Sequence, residues 1–175
     1  MVALGSNLRG QYRSSQALLE AALGRLPDVG LHLLKPSRWW RSAAWPEGAG
    51  PDYLNGVALV ETPLSARETL DRLLELEVRF GRERGPANGP RTLDLDLIAH
   101  GRTIAGGPEL ILPHPEAHLR RFVMGPLAEI APAWMHPSLA ETAATLATQA
   151  TIGADAAPAD AEFGAPGPGR ATCSG

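Results

Sequence analysis

The chain has 175 residues, 44% of them apolar and 20% charged, which is the size and make-up of one ordinary globular domain. Sixteen basic against nineteen acidic residues leave a net charge of −3, which excludes the overall basic footprint that duplex DNA binding needs. Cys173 is the single cysteine, so a disulfide framework and a cysteine zinc site are excluded as well.

Val2-Ala3-Leu4 reads as a short buried strand ended by the turn chemistry of Gly5-Ser6-Asn7. Gln11 to Leu26 has helical spacing, with Leu18, Ala21, Ala22, Arg25 and Leu26 expected on the inward face and Pro27-Asp28 as the stop. Leu31 to Leu34 and Arg38 to Ser42 read as extended, Ala43 to Pro51 as a loop rich in proline and glycine, and Tyr53 to Glu61 as a strand. Ser65-Ala66-Arg67-Glu68 is a capping box, and the helix it opens should run to about Phe80 and stop at Gly81. After a Gly-Pro loop, Thr92 to His100 alternates as a strand. Gly101-Arg102 is expected to turn it into a hairpin with the segment through Leu112. Short helices are expected after Pro115 and from Ser138 to Thr148.

The order of elements predicts an α+β fold, with a ferredoxin-like split βαβ core, an antiparallel sheet and an added hairpin. The domain is expected to span residues 1–149. The last 26 residues hold eight alanines, five glycines and three prolines, a composition that reads as a disordered tail over 150–175. No apolar run approaches the ~20 residues of a membrane span, and no targeting signal is visible. A cytoplasmic location is expected, with neither nucleic acid nor membrane as partner.

The chemistry concentrates between Gly81 and Leu97. On a strand, Asp94 and Asp96 project to one face about 6.6 to 7 Å apart at Cα, while Leu93, Leu95 and Leu97 take the other. Paired carboxylates repel, and two divalent cations of the kind that carry phosphate groups would compensate them. A bare D-x-D is short and common, and is more often two aspartates on a solvated sheet face. Its neighbours shift the balance: Arg79, Arg82, Arg84 and Arg91 are accompanied by one acid, Glu83. Fifteen of the sixteen basic residues are arginine, whose planar fork suits phosphate oxygens. Such a set fits phosphoryl or pyrophosphoryl transfer. His114 and His118 have an H-x3-H spacing, but a third ligand for zinc is not apparent.

The string Gly89-Pro90-Arg91-Thr92-Leu93-Asp94-Leu95-Asp96, with Gly5-Ser6-Asn7, Asp52-Tyr53-Leu54-Asn55 and Leu112-Pro113-His114-Pro115 in that order, resembles the 6-hydroxymethyl-7,8-dihydropterin pyrophosphokinase family over about residues 2–148. The resemblance implies transfer of the β,γ-diphosphate of ATP to the pterin hydroxymethyl oxygen, with release of AMP, in folate biosynthesis. It implies two magnesium ions on Asp94 and Asp96, and a catalytic role for Arg82 and Arg91. It places ATP against Arg84, Leu97, Ile111, His114 and Arg120. The pterin would lie against Ser42, Ala43, Trp45, Tyr53, Asn55 and Phe122, with Asn55 reading the ring edge and Phe122 stacking on it. ATP and the pterin are then the expected partners of a monomer. Asn88 and Glu109 depart from the family pattern, standing where some members carry an aromatic and an arginine.

Two rival readings share parts of this evidence. A transferase using D-x-D to hold a nucleotide-sugar diphosphate would share the metal and lack pterin recognition. An RNA-binding module would place basic and aromatic residues on the sheet face, where this chain carries two aspartates.

Overall fold

The structure, a computed structural model, describes residues 1–44, 50–82 and 92–159. Twelve elements follow in chain order: β1 (Val2–Ser6), α1 (Ser15–Arg25), β2 (His32–Pro36), β3 (Trp40–Ser42), β4 (Tyr53–Glu61), α2 (Ala66–Arg79), β5 (Asp94–Leu97), β6 (Ala105–Gly107), β7 (Leu110–Leu112), α3 (Arg121–Ile130), α4 (Ala143–Gln149) and β8 (Ala157–Pro158). The fold is α+β. The main sheet has the order β5-β1-β4-β3-β8, with β2 pairing β4 beyond β3, and all its pairs are antiparallel. β1 therefore lies between β4 and β5, the two strands that α2 connects.

Alternation along the strands separates two layers. Val2 and Leu4 of β1, Leu54 and Ala58 of β4, and Leu95 and Leu97 of β5 pack against α1 and α2. Ala3 and Val57 face the other way and pack with Val123, Met124 and Leu127 of α3 and with α4. Each leucine fully buried in these layers contributes about 1.5–3 kcal/mol. On α1 the inward residues are Leu18, Leu19 and Ala22, followed by Leu26. Arg25, expected inward, is exposed and pairs with Asp28 at 3.1 Å. The desolvation of a guanidinium without a buried partner outweighs its helical register. On α2 the capping box is complete: Ser65 N donates to Glu68 at 2.8 Å and Glu68 N to Ser65 Oγ at 3.3 Å. The helix stops at Phe80, and Gly81 follows at φ +78°.

Two expectations need correction. The hairpin is β6–β7, turned at Pro108-Glu109, and forms a small sheet of its own. β5 pairs with β1, and its register ends at Val2↔Leu97. Gly101, at φ +56°, then carries the chain out of the main sheet. The second correction concerns the C-terminal segment, which belongs to the fold as far as Ala159. Ala156 is buried and β8 pairs β3 through Trp40↔Pro158 and Arg41↔Ala157. The alanine-rich composition hides this because main-chain hydrogen bonds, not side-chain burial, dock the segment. The remaining residues of the expected tail, 160–175, lie outside the described residues. Among the described residues no helix is long and apolar enough to cross a membrane.

Candidate active site

α3 covers only part of its face of the sheet. The rest opens into a cavity of about 440 Å³, within the roughly 300–1,000 Å³ range of small-molecule sites. Its floor is set by register. Gly5 pairs with Asn55 on one side and Asp94 on the other, and Ala3 with Asp96. A side chain at Gly5 would have its Cβ 3.3 Å from Asn55 Oδ1, so glycine leaves the floor low enough for the amide to reach into the space. Asp94 and Asp96 both line the cavity, and Leu95 and Leu97 are buried on the opposite face, as the period-2 argument requires.

Asn55 Nδ2 donates to Ser42 Oγ at 3.1 Å, both residues being buried. Tyr53 and Ala43 join them at this end, and Phe122 stands at the start of α3. This is an amide edge and an aromatic plane in one space. The other end is charged. Arg120 Nη1 lies 3.9 Å from Asp96 Oδ2, and its Nη2 donates to Glu116 Oε2 at 2.6 Å. His114 lines the cavity, and its Nδ1 accepts the N–H of Glu116 at 3.2 Å. In the neutral ring that leaves the proton on Nε2, free to donate. Burial pushes the His114 imidazole below its ordinary value, with Asp96 opposing the shift.

Arg82 lies just past the end of α2 and reaches Asp94 Oδ1 at 3.0 Å. It is also held by Glu77 of α2. Glu77 is 1% exposed, and its Oε1 accepts the N–H of Leu95 at 2.6 Å. Burial pushes its carboxyl up to about 7, against the opposing pull of the Leu95 hydrogen bond and of Arg82. Sequence reasoning missed Glu77, although the signal was present: it is an acid on the apolar stripe with Leu73 and Leu76. It also missed Glu116 and Ile152, which line the cavity.

The cavity thus brings together Ser42, Ala43, Tyr53, Asn55, Asp94, Asp96, His114, Arg120 and Phe122, nine of the expected site residues. Arg82 touches the group through Asp94. Leu97 and Ile111 are not brought to it: Leu97 is buried against α1 and α2, and Ile111 is half exposed on β7. Trp45, Arg84 and Arg91 lie outside the described residues, as does Asn88. Glu109 pairs with Arg67 at 2.8 Å on the small hairpin, away from the cavity. His118 stands against His136, with ring centroids 5.9 Å apart. Among the described residues no group of three or more His, Cys, Asp or Glu could hold a metal by itself.

Known proteins point the same way. The family model described as 7,8-dihydro-6-hydroxymethylpterin-pyrophosphokinase matches residues 1–132. A 2-amino-4-hydroxy-6-hydroxymethyldihydropteridine pyrophosphokinase of Synechocystis is 41% identical over 150 residues, 85% of this chain and 74% of that protein. Proteins of the same name from Haemophilus influenzae and Pseudomonas aeruginosa are each 40% identical, over 74% and 75% of this chain and 79% of their own lengths. The match spans the strands that carry Asn55, Asp94 and Asp96 and the helix that carries Phe122, so the chain belongs to the 7,8-dihydro-6-hydroxymethylpterin-pyrophosphokinase family and is a pyrophosphokinase of folate biosynthesis.

Proposed function

We propose that this one cavity holds both substrates at once, with ATP at the Asp94–Asp96–His114 end and 6-hydroxymethyl-7,8-dihydropterin at the Asn55–Phe122 end. The hydroxymethyl oxygen of the pterin bonds to the β-phosphorus of ATP, the bond between that phosphorus and the oxygen bridging it to the α-phosphorus breaks, AMP leaves with the bridging oxygen, and the hydroxyl proton passes to solvent. The observation that carries this reading is the convergence of a ring-reading amide, an aromatic plane and two carboxylates within one 440 Å³ space.

The carboxylates suit magnesium. They offer hard oxygens side by side, and each already has an arginine cation within 4 Å. Among the described residues no third protein ligand joins them, which fits an ion that completes its shell with phosphate oxygens and water. Two magnesium ions held by Asp94 and Asp96 supply charge neutralisation along the triphosphate.

The chain's own residues do the rest. Asn55 matches the hydrogen-bonding edge of the pterin and Phe122 its face, with Ser42, Ala43 and Tyr53 closing the sides. This fixes the hydroxymethyl group toward Asp94 and Asp96, and such orientation lowers the barrier without new chemistry. His114 donates from Nε2 to a phosphate oxygen, and Arg120 pairs with the same chain of phosphates. Arg82 meets the charge that develops on the transferring group. The same reading gives Arg91 a catalytic role, Arg84 an ATP contact and Trp45 a pterin contact; the three lie outside the described residues. The enzyme is read as a cytoplasmic monomer, with ATP drawn from the nucleotide pool there.

The test follows AMP. With ATP and magnesium, AMP should form only when hydroxymethyl-dihydropterin is added, in equal amount to the pterin diphosphate. AMP formation indifferent to the pterin overturns the reading.

A further inference from the structure

The two walls at the ring end of the cavity come from pieces of chain that do not pair with each other. Ser42 closes β3 and Ala43 follows it, whereas Phe122 lies in the first turn of α3. A flat heterocycle between such walls is sensitive to their separation. A gap of about 0.5–1 Å beyond contact forfeits a quarter to a half of the dispersion attraction.

Residues 151–159 are bonded to both walls. On the α3 side, the N–H groups of Thr151 and Ile152 donate to Leu119 O at 3.1 and 2.9 Å, and Arg121 N donates to Ile152 O at 2.8 Å. Arg121 Nε reaches Ala156 O at 3.2 Å. On the β3 side, β8 pairs with Trp40 and Arg41, and Ala159 N donates to Trp39 O at 2.8 Å. The Asp155 carboxylate accepts the N–H of Ala43 at 2.6 Å. Ala43 is one residue beyond the last β3–β4 pair, Ser42↔Tyr53, so this bond holds the wall where the sheet ladder has ended. Between the anchors, Gly153 turns at φ +66° against the Phe122 ring; a Cβ there would lie 2.6 Å from Phe122 Cδ1. Glycine is required twice over, by the backbone angle and by the ring.

We propose that this segment is a strap that sets the width of the pterin slot, with Asp155 as a positioning residue acting through Ala43 and Gly153 as its counterpart acting through Phe122. The inference rests on the assignment of the ring end made above. The strap backs Ala43 and Phe122, its Ile152 also lines the cavity, and Asp155 itself is exposed. Its effect falls on pterin recognition. Asp155 takes no part in the main-chain bonds at Leu119 and Arg121, which hold the chain on either side of Arg120.

The experiment compares Asp155→Ala, Asp155→Asn, Gly153→Ala and Phe122→Ala in the full chain with magnesium. Steady-state kinetics are paired with calorimetric binding of the pterin substrate and of a non-hydrolysable ATP analogue. Asp155→Ala should raise the KM and Kd for pterin ~10-fold, the lower end of what one charge-assisted hydrogen bond is worth. The KM for ATP and kcat should stay put. Asp155→Asn keeps an acceptor oxygen and should restore most of the pterin affinity. Should Asp155→Ala fold too poorly to assay, Gly153→Ala carries the test from the Phe122 side, with pterin affinity lost and ATP-analogue affinity kept. Equal rises in both KM values overturn the strap, since they mark a general structural role. So does an unmoved pterin KM in Asp155→Ala when Phe122→Ala has lost pterin binding. Unaltered pterin binding in Phe122→Ala overturns the ring-end assignment itself.

Discussion

The guanidinium of Arg82 rests 3.0 Å from Asp94 Oδ1 while the buried Glu77 holds the same nitrogen from the α2 side. A cation suited to stabilise a transferring phosphoryl group is thereby stationed at the carboxylate pair and not at the ring end of the cavity. Arg82→Ala should therefore slow the chemical step ~10²–10³-fold, the usual cost of losing one charge stabiliser in a closed site. Pterin binding, which the proposed reading gives to Asn55 and Phe122, should change little. Single-turnover rates set beside calorimetric pterin affinities check this; comparable losses in both would make Arg82 a general structural residue.

Asp96→Ala should abolish turnover and weaken magnesium-dependent binding of ATP while leaving the fold intact. The side chain lines the open cavity, and the sheet pairing of its residue with Ala3 is main-chain. The measurement is nucleotide binding with and without magnesium, beside a thermal melt. An Asp96→Ala enzyme with ordinary activity removes Asp96 from the metal site.

Much of this site could be read from the sequence because it rests on strand alternation. Asp94 and Asp96 share a face by period 2, and the same period puts Leu97 in the core. The expectation of Leu97 against ATP came from the family resemblance and ran against that alternation. Glu77 was legible as an acid on an apolar helical stripe, since a buried carboxylate there needs partners, and finds them in Leu95 N and Arg82. The strap was not legible. Besides the Asp155 and Arg121 side chains, its docking is carried by main-chain bonds to Leu119, Trp39 and Arg121, which no side-chain pattern announces. The position of the hairpin was hidden for a related reason. Gly101 and the Pro108-Glu109 turn both carry turn chemistry, and only the pairing of β5 with β1 decides between them.

The contribution of His136 to stability should fall as the solution is acidified through the histidine range. Its ring is buried, and Nδ1 accepts the N–H groups of Ser138 and Leu139 at 3.3 and 3.2 Å. Burial lowers its affinity for a proton below the ordinary value of 6.5, and His118 adds to the effect. With the folded value depressed, the unfolded chain binds more protons in this window, so stability rises with pH there. The contribution is complete above 6.5 and is lost as pH drops from 6.5 toward the folded value. Glu77, with its carboxyl raised to about 7, pulls the other way over this window, so the reading is a difference: the urea midpoint of the wild type relative to that of His136→Asn should fall between pH 7 and pH 5. Parallel slopes would assign the titration to other groups.

Trp40 of β3 is buried against α3, and Gly125 is what lets the helix come that close. A Cβ at Gly125 would lie 2.5 Å from two atoms of the indole ring, well inside any tolerated contact. The ring is enclosed and cannot swing aside as an exposed side chain would; Trp40 is 7% exposed. Gly125→Ala should therefore destabilise the chain by about 1–3 kcal/mol through overpacking, despite alanine's better helix propensity. Since Phe122 lies in the first turn of α3, the strain should also displace the ring wall of the cavity. Chemical denaturation measures the first effect and pterin affinity the second. A Gly125→Ala protein of unchanged stability would mean that the indole has room to repack, and then the pterin affinity should be unchanged as well.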